Sequence, residues 1–446
     1  MTVAAGATTS ETPNVEDDAV ETLRQLIRID TTNTGEPEGT VGEAIAAEYV
    51  ESLLAGCGYE LERFETTSGK RQGVYVRVPG RDTTRPALLL HGHLDVVPAI
   101  ASDWSVPPFA ADEIDGMIWG RGAVDMKDMD AMLIALVRHW AATGYVPPRE
   151  IVLILTPDEE AGGHHGAHWI VENRPDMLAG VAEAVGEVGG FSVTVADDQR
   201  LYLVQTAEKG LAWMRLTAGG TGGHGSMLND DNAITELARA VTRVGDHRFP
   251  IVMTDTMRAC AEALAEAFGV PFDPADPSEF LAALGPMARI VGATMSNTVN
   301  PTMLSSGIKA NVIPDAAQAV VDGRFLPGQE EEFLAAIDAL IGDRVSREFV
   351  HHDIALETPF DGPLIEAMSA ALAAEDPGSR AIPYIMSGGT DAKAWSLRGI
   401  RCFGFVPLQL PPDLDFPAMF HGIDERVPVA SVRFGVRVLQ RFIDAS

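Results

Sequence analysis

The chain has 446 residues, 46% hydrophobic and 22% charged, with 33 Lys and Arg against 64 Asp and Glu for a formal net charge of −31. That length exceeds one ordinary core and implies two domains. The charge argues against nucleic acid or an anionic membrane surface as partner, because both demand a basic face. Cys57, Cys260 and Cys402 are widely spaced and odd in number, which fits reduced, mostly buried thiols rather than a disulfide framework or a cysteine metal site. Residues 1–14 are small and polar, without the basic-then-apolar order of a secretory signal, and read as a loose tail. No apolar run reaches the roughly 18 residues of a membrane span, so the expectation is a cytoplasmic enzyme.

In chain order, residues 15–29 carry Val20, Leu23, Leu26 and Ile27 at helical spacing. Thr31-Thr-Asn-Thr-Gly-Glu-Pro37 breaks that helix, and residues 41–55 predict a second one ending near Gly56-Cys57-Gly58. Extended segments over residues 59–64 and 73–78 lead to Ala87-Leu-Leu-Leu-His-Gly-His-Leu-Asp-Val-Val-Pro98. Its apolar start reads as a buried strand that breaks at Gly92 and delivers His91, His93 and Asp95 at its end, where open α/β sheets bind ligands. A histidine and a carboxylate two residues apart fit a metal ligand with its orienting group, or a hydrogen-bonded structural histidine.

Trp119-Gly-Arg-Gly-Ala-Val-Asp-Met-Lys-Asp-Met-Asp130 reads as a tight turn opening a helix near Asp125. Met129, Met132, Leu133, Leu136, Val137 and Trp140 form the buried stripe of that helix, and Asp125 alone fits a helix cap. A second buried strand, residues 151–155, ends in Thr156-Pro-Asp-Glu-Glu-Ala-Gly-Gly163, whose three consecutive acids repel unless solvated or holding a cation. His164, His165 and His168 fall on what reads as the next helix and are taken as surface or packing residues. Residues 181–185 lead into Gly186-Glu-Val-Gly-Gly190, setting Glu187 at a comparable strand end.

From Lys209 the pattern changes. A strand (211–216), a helix (231–244), a segment with its own helical stretches (253–284), strands near 302–308 and 317–325, a helix (330–341) and a strand (346–354) follow. Without the middle segment this is β-α-β-β-α-β, a ferredoxin-like arrangement. The fold class is therefore α/β: a mostly parallel-sheet domain over residues 1–207 and 357–446, interrupted by an inserted ferredoxin-like domain over residues 208–356.

The motifs Gly92-His93-x-Asp95-Val-Val-Pro98, Gly120-Arg-Gly-x-x-Asp125-Met-Lys127, Asp158-Glu159-Glu160, Glu187 before a glycine pair, and His421-Gly422 occur in one order. Together they resemble the two-zinc exopeptidases and amidohydrolases that include glutamate carboxypeptidase, aminoacylase, acetylornithine deacetylase and succinyl-diaminopimelate desuccinylase. The resemblance covers nearly the whole chain. It implies two Zn2+ per subunit, with Co2+ or Mn2+ as substitutes. Asp125 would bridge them, His93 and Glu187 would complete one site, and Glu160 and His421 the other. Val188 separates Glu187 from the glycine pair, so Glu183 stays open as the alternative fifth ligand. Glu159 would be the general base and Asp95 would fix the His93 ring. A lid histidine, matched here by His224 in Gly222-Gly-His224-Gly-Ser-Met227, would stabilise the oxyanion in the partner subunit, implying a homodimer through the inserted domain. Asn311, Arg324, and the Gly389-Thr390 loop match substrate-contact positions. The resemblance also implies a cis peptide between Asp125 and Met126.

The expected reaction is hydrolysis of an amide or peptide bond in a small peptide or N-acyl amino acid bearing a free carboxylate. The alternatives are a deacylase of an N-acetyl or N-succinyl biosynthetic intermediate and, from another class, an inactive metal-stabilised binding protein. The intact Glu159 and ligand set argue against the last. A two-metal phosphoesterase lacks a glycine-rich phosphate cradle in this sequence.

Overall fold

The computed structural model describes residues 14–196 and 199–446. The expected tail lies outside them except for Asn14, which is ordered as the cap of the first helix, its Oδ1 accepting the Glu16 N–H at 3.0 Å. The chain divides into two compact units. One runs to Leu203 and resumes over Asp361–Ala381 and Ala394–Ser446, and the other is Val204–Phe360 with Ile382–Lys393. The sequence reading set its borders at 207/208 and 356/357 and kept the 382–393 segment with the larger domain.

The first unit is built on a sheet in which Glu60–Glu65, Gln72–Val78, Ile151–Thr156, Ala87–His93, Val181–Gly186 and Arg401–Gly404 lie side by side in that order. The first two pairings are antiparallel and the next three parallel. Leu88–Leu90 and Ile151–Leu155 are 0% exposed, which is why they read as unbroken apolar runs: strands covered on both faces need no polar alternation. Register does the rest. His93 pairs with Thr156 and Leu90 with Val185, so three parallel strands end at one edge of the sheet.

The stripe from Met129 to Trp140 lies in the helix Lys127–Thr143, which packs on the Ala87–His93 strand and on the first helix, Val15–Arg28. Gly144 closes it in the left-handed region at φ 70°. Gly92 marks the closest approach of strand and helix, because a Cβ there would run into the Asp130 carboxylate. Two local differences from the sequence reading concern turns. His164 and His165 precede the helix Ala167–Asn173 rather than riding on it, since Gly162 and Gly163 adopt positive φ and end the preceding turn. A small sheet of Asp112–Ile114, Met117–Trp119 and Arg426–Pro428 also joins segments far apart in sequence, with Arg426 opposite Trp119.

The second unit holds a four-stranded antiparallel sheet in the order Thr298–Ser306, Ala316–Phe325, Gly210–Gly219, Val345–Asp353. With the helices Ala233–Asp246 and Glu330–Ile341 it has the expected β-α-β-β-α-β connectivity. Met214, Leu216, Leu237, Val321, Phe325, Phe333 and Ile337 form its core. Three further helices, Asp255–Phe268, Ser278–Ala283 and Ala288–Ala293, fill the segment between its first helix and the Thr298 strand.

Lys209, at the start of this unit's first strand, is 0% exposed and donates to the carbonyls of Ala293 and Ser296 and to Thr298 Oγ1 at 2.8–3.0 Å. Burial, with repulsion from Arg324 second, pulls its pKa down to about 7. An unfolded lysine keeps its proton to about 10.4. Between these values the unfolded chain holds more protons, so stability rises with pH across that window and the penalty is full below it. Other groups titrate in the same window, so the readout is the difference: between about pH 7 and about pH 9.5 in urea unfolding, stability should rise more, or fall less, in the wild type than in Lys209→Gln.

Candidate metal centre

Each of the three strand ends delivers a chemical group. His93 is the last residue of its strand, Glu159 and Glu160 form the 3₁₀ turn after Ile151–Thr156, and Glu187 follows Val181–Gly186 directly. Asp125 immediately precedes the Lys127–Thr143 helix region, and His421 lies in the left-handed region at φ 57° in the loop before Arg426–Pro428. Asp125 stands between the two imidazoles. Its Oδ1 is 3.3 Å from His93 Nε2 and its Oδ2 is 3.3 Å from His421 Nε2. Glu187 Oε2 is 3.3 Å from His93 Nε2, Glu159 Oε2 is 3.8 Å from it, and Glu160 Oε2 is 3.0 Å from His421 Nε2. Glu183, the open alternative to Glu187, instead accepts from Arg149 Nη1 at 2.7 Å. The Asp125–Met126 peptide is cis, and so is Glu187–Val188, which the sequence did not suggest.

The donor set fits divalent cations. In His93, Glu159 and Glu187, and again in His93, Asp125 and Glu160, the candidate ligand atoms all lie within 4.8 Å of one another. Ligands at about 2.0–2.1 Å from a tetrahedral ion stand about 3.3 Å apart, the spacing seen around Asp125. The electrostatics among these side chains point the same way. Burial alone would lower the pKa of His93, yet Glu187, Asp125 and Glu159 raise it well above its ordinary value. Hydrogen bonds donated to Asp125 and Glu160 push His421 up to about 10. Burial raises Glu160, with Asp125 adding to it, while for Asp125 the two histidines overcome burial and hold it low. Such a cluster binds positive charge, as protons or as metal.

His91 is not part of it. Its ring lies edge-on to Trp395 at 5.9 Å, and burial, then His93, pulls its pKa down to about 3. Asp95 lies against the cluster through contacts other than the expected one. The His93 ring meets the Asp95 backbone carbonyl, Nδ1 to O 3.0 Å, and the carboxylate lies at 3.6 Å. That carboxylate accepts the N–H groups of Glu159 and Glu160, both at 3.1 Å.

The remaining expected site residues belong to the second unit. His224 pairs with Val312 in a two-stranded arm, exposed, with Ser226 Oγ 2.9 Å from Nδ1, and the exposed Asn311 accepts the Gly225 N–H through its carbonyl at 2.9 Å. Arg324 is held by Asp322 through Nε and one terminal nitrogen, at 2.7 and 3.2 Å. Thr390 is buried, its N–H and Oγ1 both given to Glu208, and Gly389 lies against Lys393, where a Cβ would meet Nζ at 2.6 Å.

Arg121 lies inside a quoted motif and Glu425 just beyond the His421-Gly422 motif, and neither received a role from sequence. Glu425 is 0% exposed and accepts N–H groups from Gly122, Val124 and Asp125 at 2.7–3.3 Å. Arg121 Nη1 donates to it at 2.7 Å, and Arg121 Nη2 donates to the Gly422 carbonyl at 2.9 Å. The pair ties the Asp125 turn to the His421 loop.

A family model described as peptidase family M20/M25/M40 matches residues 89–445. The chain belongs to this family. The M20/M25/M40 assignment makes it an enzyme, a metal-dependent hydrolase of amide bonds. Aminoacylase-1 of Sus scrofa is 29% identical over 438 residues, covering 96% of this chain and 95% of that protein. The N-fatty-acyl-amino acid synthase/hydrolase PM20D1 of Xenopus tropicalis is 29% identical over 448 residues, covering 96% and 85%. Among solved structures, the M20 family metallo-carboxypeptidase Sso-CP2 from Sulfolobus solfataricus shares the fold at TM-score 0.71 and 17% identity, over 96% of this chain and 99% of that one.

Replacing Glu425 by Gln puts an amide where four donors converge. The expected result is a 10–100-fold loss of metal affinity, of the order seen when a metal ligand's support is removed. Chelator competition against the wild type measures it, and unchanged affinity would show that the Asp125 turn holds its geometry unaided.

Proposed function

We propose that this M20/M25/M40 member is a two-zinc hydrolase of N-acyl amino acids or small peptides with a free carboxylate, working as a cytoplasmic homodimer. The observation that carries the reading is Asp125 shared between His93 and His421, with Glu187 on one side and Glu160 on the other. Mixed imidazole and carboxylate donors suit zinc. His93, Asp125 and Glu187 would hold one ion and Asp125, Glu160 and His421 the second. When bound, the ions supply Lewis-acid polarisation of the scissile carbonyl and a water acidic enough to attack near neutral pH.

The chain's own groups do the rest. Glu159 sits beside the cluster on a turn fixed by Asp95. It accepts a proton as the attacking water's oxygen bonds to the carbonyl carbon. It then releases that proton to the amine nitrogen as the C–N bond breaks, yielding a carboxylate and an amine. In the second unit, Ser226 occupies Nδ1 of His224, leaving Nε2 to donate to the developing oxyanion. Asp322 leaves one terminal nitrogen of Arg324 for a substrate carboxylate. Asn311 and Gly389 complete the substrate contacts in this reading, while Thr390, buried with its N–H and hydroxyl both given to Glu208, supports the loop instead of touching substrate.

An N-acyl amino acid is favoured within this class by the likeness to aminoacylase-1 and to an N-fatty-acyl-amino acid hydrolase along almost the whole chain. The dimer is supported by the second unit's edge strand, Thr298–Ser306, exposed from Asn300 onward with Met303 and Leu304 both 67% exposed. Unpaired, apolar strand edges are surfaces that a second copy can cover. Three unbridged cysteines support a reducing compartment, and no helix among the described residues is long and apolar enough to cross a membrane.

Zinc-loaded protein should cleave N-acyl amino acids and fail on their carboxyl esters. Cleavage of dipeptides alone would move the substrate class to peptides. Glu159→Gln should keep its metal and lower kcat by about 10²–10⁴-fold, by loss of proton transfer. Near wild-type turnover would remove Glu159 from the role of base. Mixing inactive His224→Ala with inactive Glu159→Gln subunits should restore part of the activity in heterodimers, and a fully active monomer would exclude the shared site.

A further inference from the structure

Asn33, Glu43 and Arg71 belong to none of the motifs that mark the centre. They come from the loop after the first helix, from the residue preceding the helix Ala44–Leu54, and from the residue preceding the strand Gln72–Val78. Yet they meet in one buried network beneath the turn that carries Glu159. Arg71 is 8% exposed, Asn33 3% and Glu43 0%. Arg71 Nη1 pairs with Glu43 Oε1 at 2.5 Å, and its Nη2 reaches Asp158 Oδ1 and Asn33 Oδ1, both at 2.8 Å. The Asn33 amide donates to Asp95 Oδ2 at 2.8 Å and to Asp158 Oδ1 at 3.2 Å.

The two carboxylates so gripped are those that shape the turn. Asp158, 2% exposed, is held in the left-handed region at φ 72°, its other oxygen accepting the His165 N–H at 2.8 Å. Asp95, 0% exposed, accepts the N–H groups of Glu159 and Glu160. Two buried aspartates with backbone donors alone would remain uncompensated anions. Arg71 supplies one positive charge, shared by Glu43 and Asp158, and its planar fork fixes their separation, while Asp95 is reached through the Asn33 amide. Arg71 is itself fixed, its N–H donating to Ser68 O at 2.9 Å and its carbonyl accepting from Thr66 N at 3.0 Å.

We infer that Arg71, acting through Asn33, Asp158 and Asp95, is a positioning residue that sets the place of the Glu159 carboxylate for proton transfer. The inference rests on the reading of Glu159 as the base. Proton transfer demands hydrogen-bond reach, and displacement by about 1 Å costs on the order of 10²-fold in rate. A lysine at position 71 keeps the charge and loses the fork.

The test is a double-mutant cycle on zinc-loaded enzyme: wild type, Arg71→Lys, Glu159→Gln and the double variant, each with kcat, KM, bound metal and thermal unfolding measured. Arg71→Lys should lower kcat by about 10–100-fold with KM and metal content close to wild type. In the Glu159→Gln background it should lower kcat no further, because the group it positions is already disabled. An equal fold-loss in both backgrounds, a fall in bound metal that tracks activity, or an unchanged kcat overturns the inference. Full activity of Glu159→Gln alone overturns the base reading instead, so the two failures are separable. If Arg71→Lys does not fold, Asn33→Ala, which leaves both ion pairs of Arg71 in place, enters the same cycle with the same expected outcomes.

Discussion

Four carboxylates, Asp125, Glu159, Glu160 and Glu187, crowd around two imidazoles at one edge of a buried sheet. Two like charges about 4 Å apart cost about 4 kcal/mol at an effective dielectric of about 20, so such a cluster is untenable without positive charge. Among the protein's own groups the two imidazoles provide it, and the carboxylates raise the pKa of both above the ordinary range. Bound cations would supply that charge instead, with the imidazoles as neutral ligands, so that the same repulsion would favour metal binding. Much of the first unit can be read as the means of holding these groups together.

Holding them is divided between two mechanisms. Strands buried on both faces set coarse positions, since their register aligns His93, the Glu159–Glu160 turn and Glu187 at a common edge. Buried ion pairs then set the turns. Arg121 and Glu425 join the Asp125 turn to the His421 loop, and Arg71 with Asn33 anchors Asp95 and Asp158 under the turn of Glu159. Both networks place an arginine fork against carboxylates that accept backbone N–H groups, an arrangement in which removing one partner leaves the other buried and unpaired. Stability and site geometry therefore share the same bonds.

The second unit contributes different physics. Its core is an independent sandwich of helices on an antiparallel sheet, and its expected substrate contacts range from exposed to buried and fully engaged. His224 and Asn311 stand on an exposed arm, while Arg324 is half-committed to Asp322. Specificity on a shared catalytic scaffold resides in contacts of this kind, which accounts for family membership fixing the reaction class more firmly than the substrate.

The apolar runs, the Met129–Trp140 stripe and the β-α-β-β-α-β order were legible in the chain because burial on one or both faces writes a period into local sequence. The candidate ligand types could be named too, since each motif is a short segment carrying its own acids or histidine. What the chain could not show is anything that depends on segments remote from one another. That Asp95 meets His93 through its carbonyl and spends its carboxylate on two N–H groups is a matter of backbone direction at one turn. The placing of Glu187 beside His93, with Glu183 drawn off to Arg149, follows from where the Val181–Gly186 strand ends. Asn33, Glu43 and Arg71 carried no local pattern at all, because a buried network is defined by convergence in space and has no period, spacing or motif along the sequence.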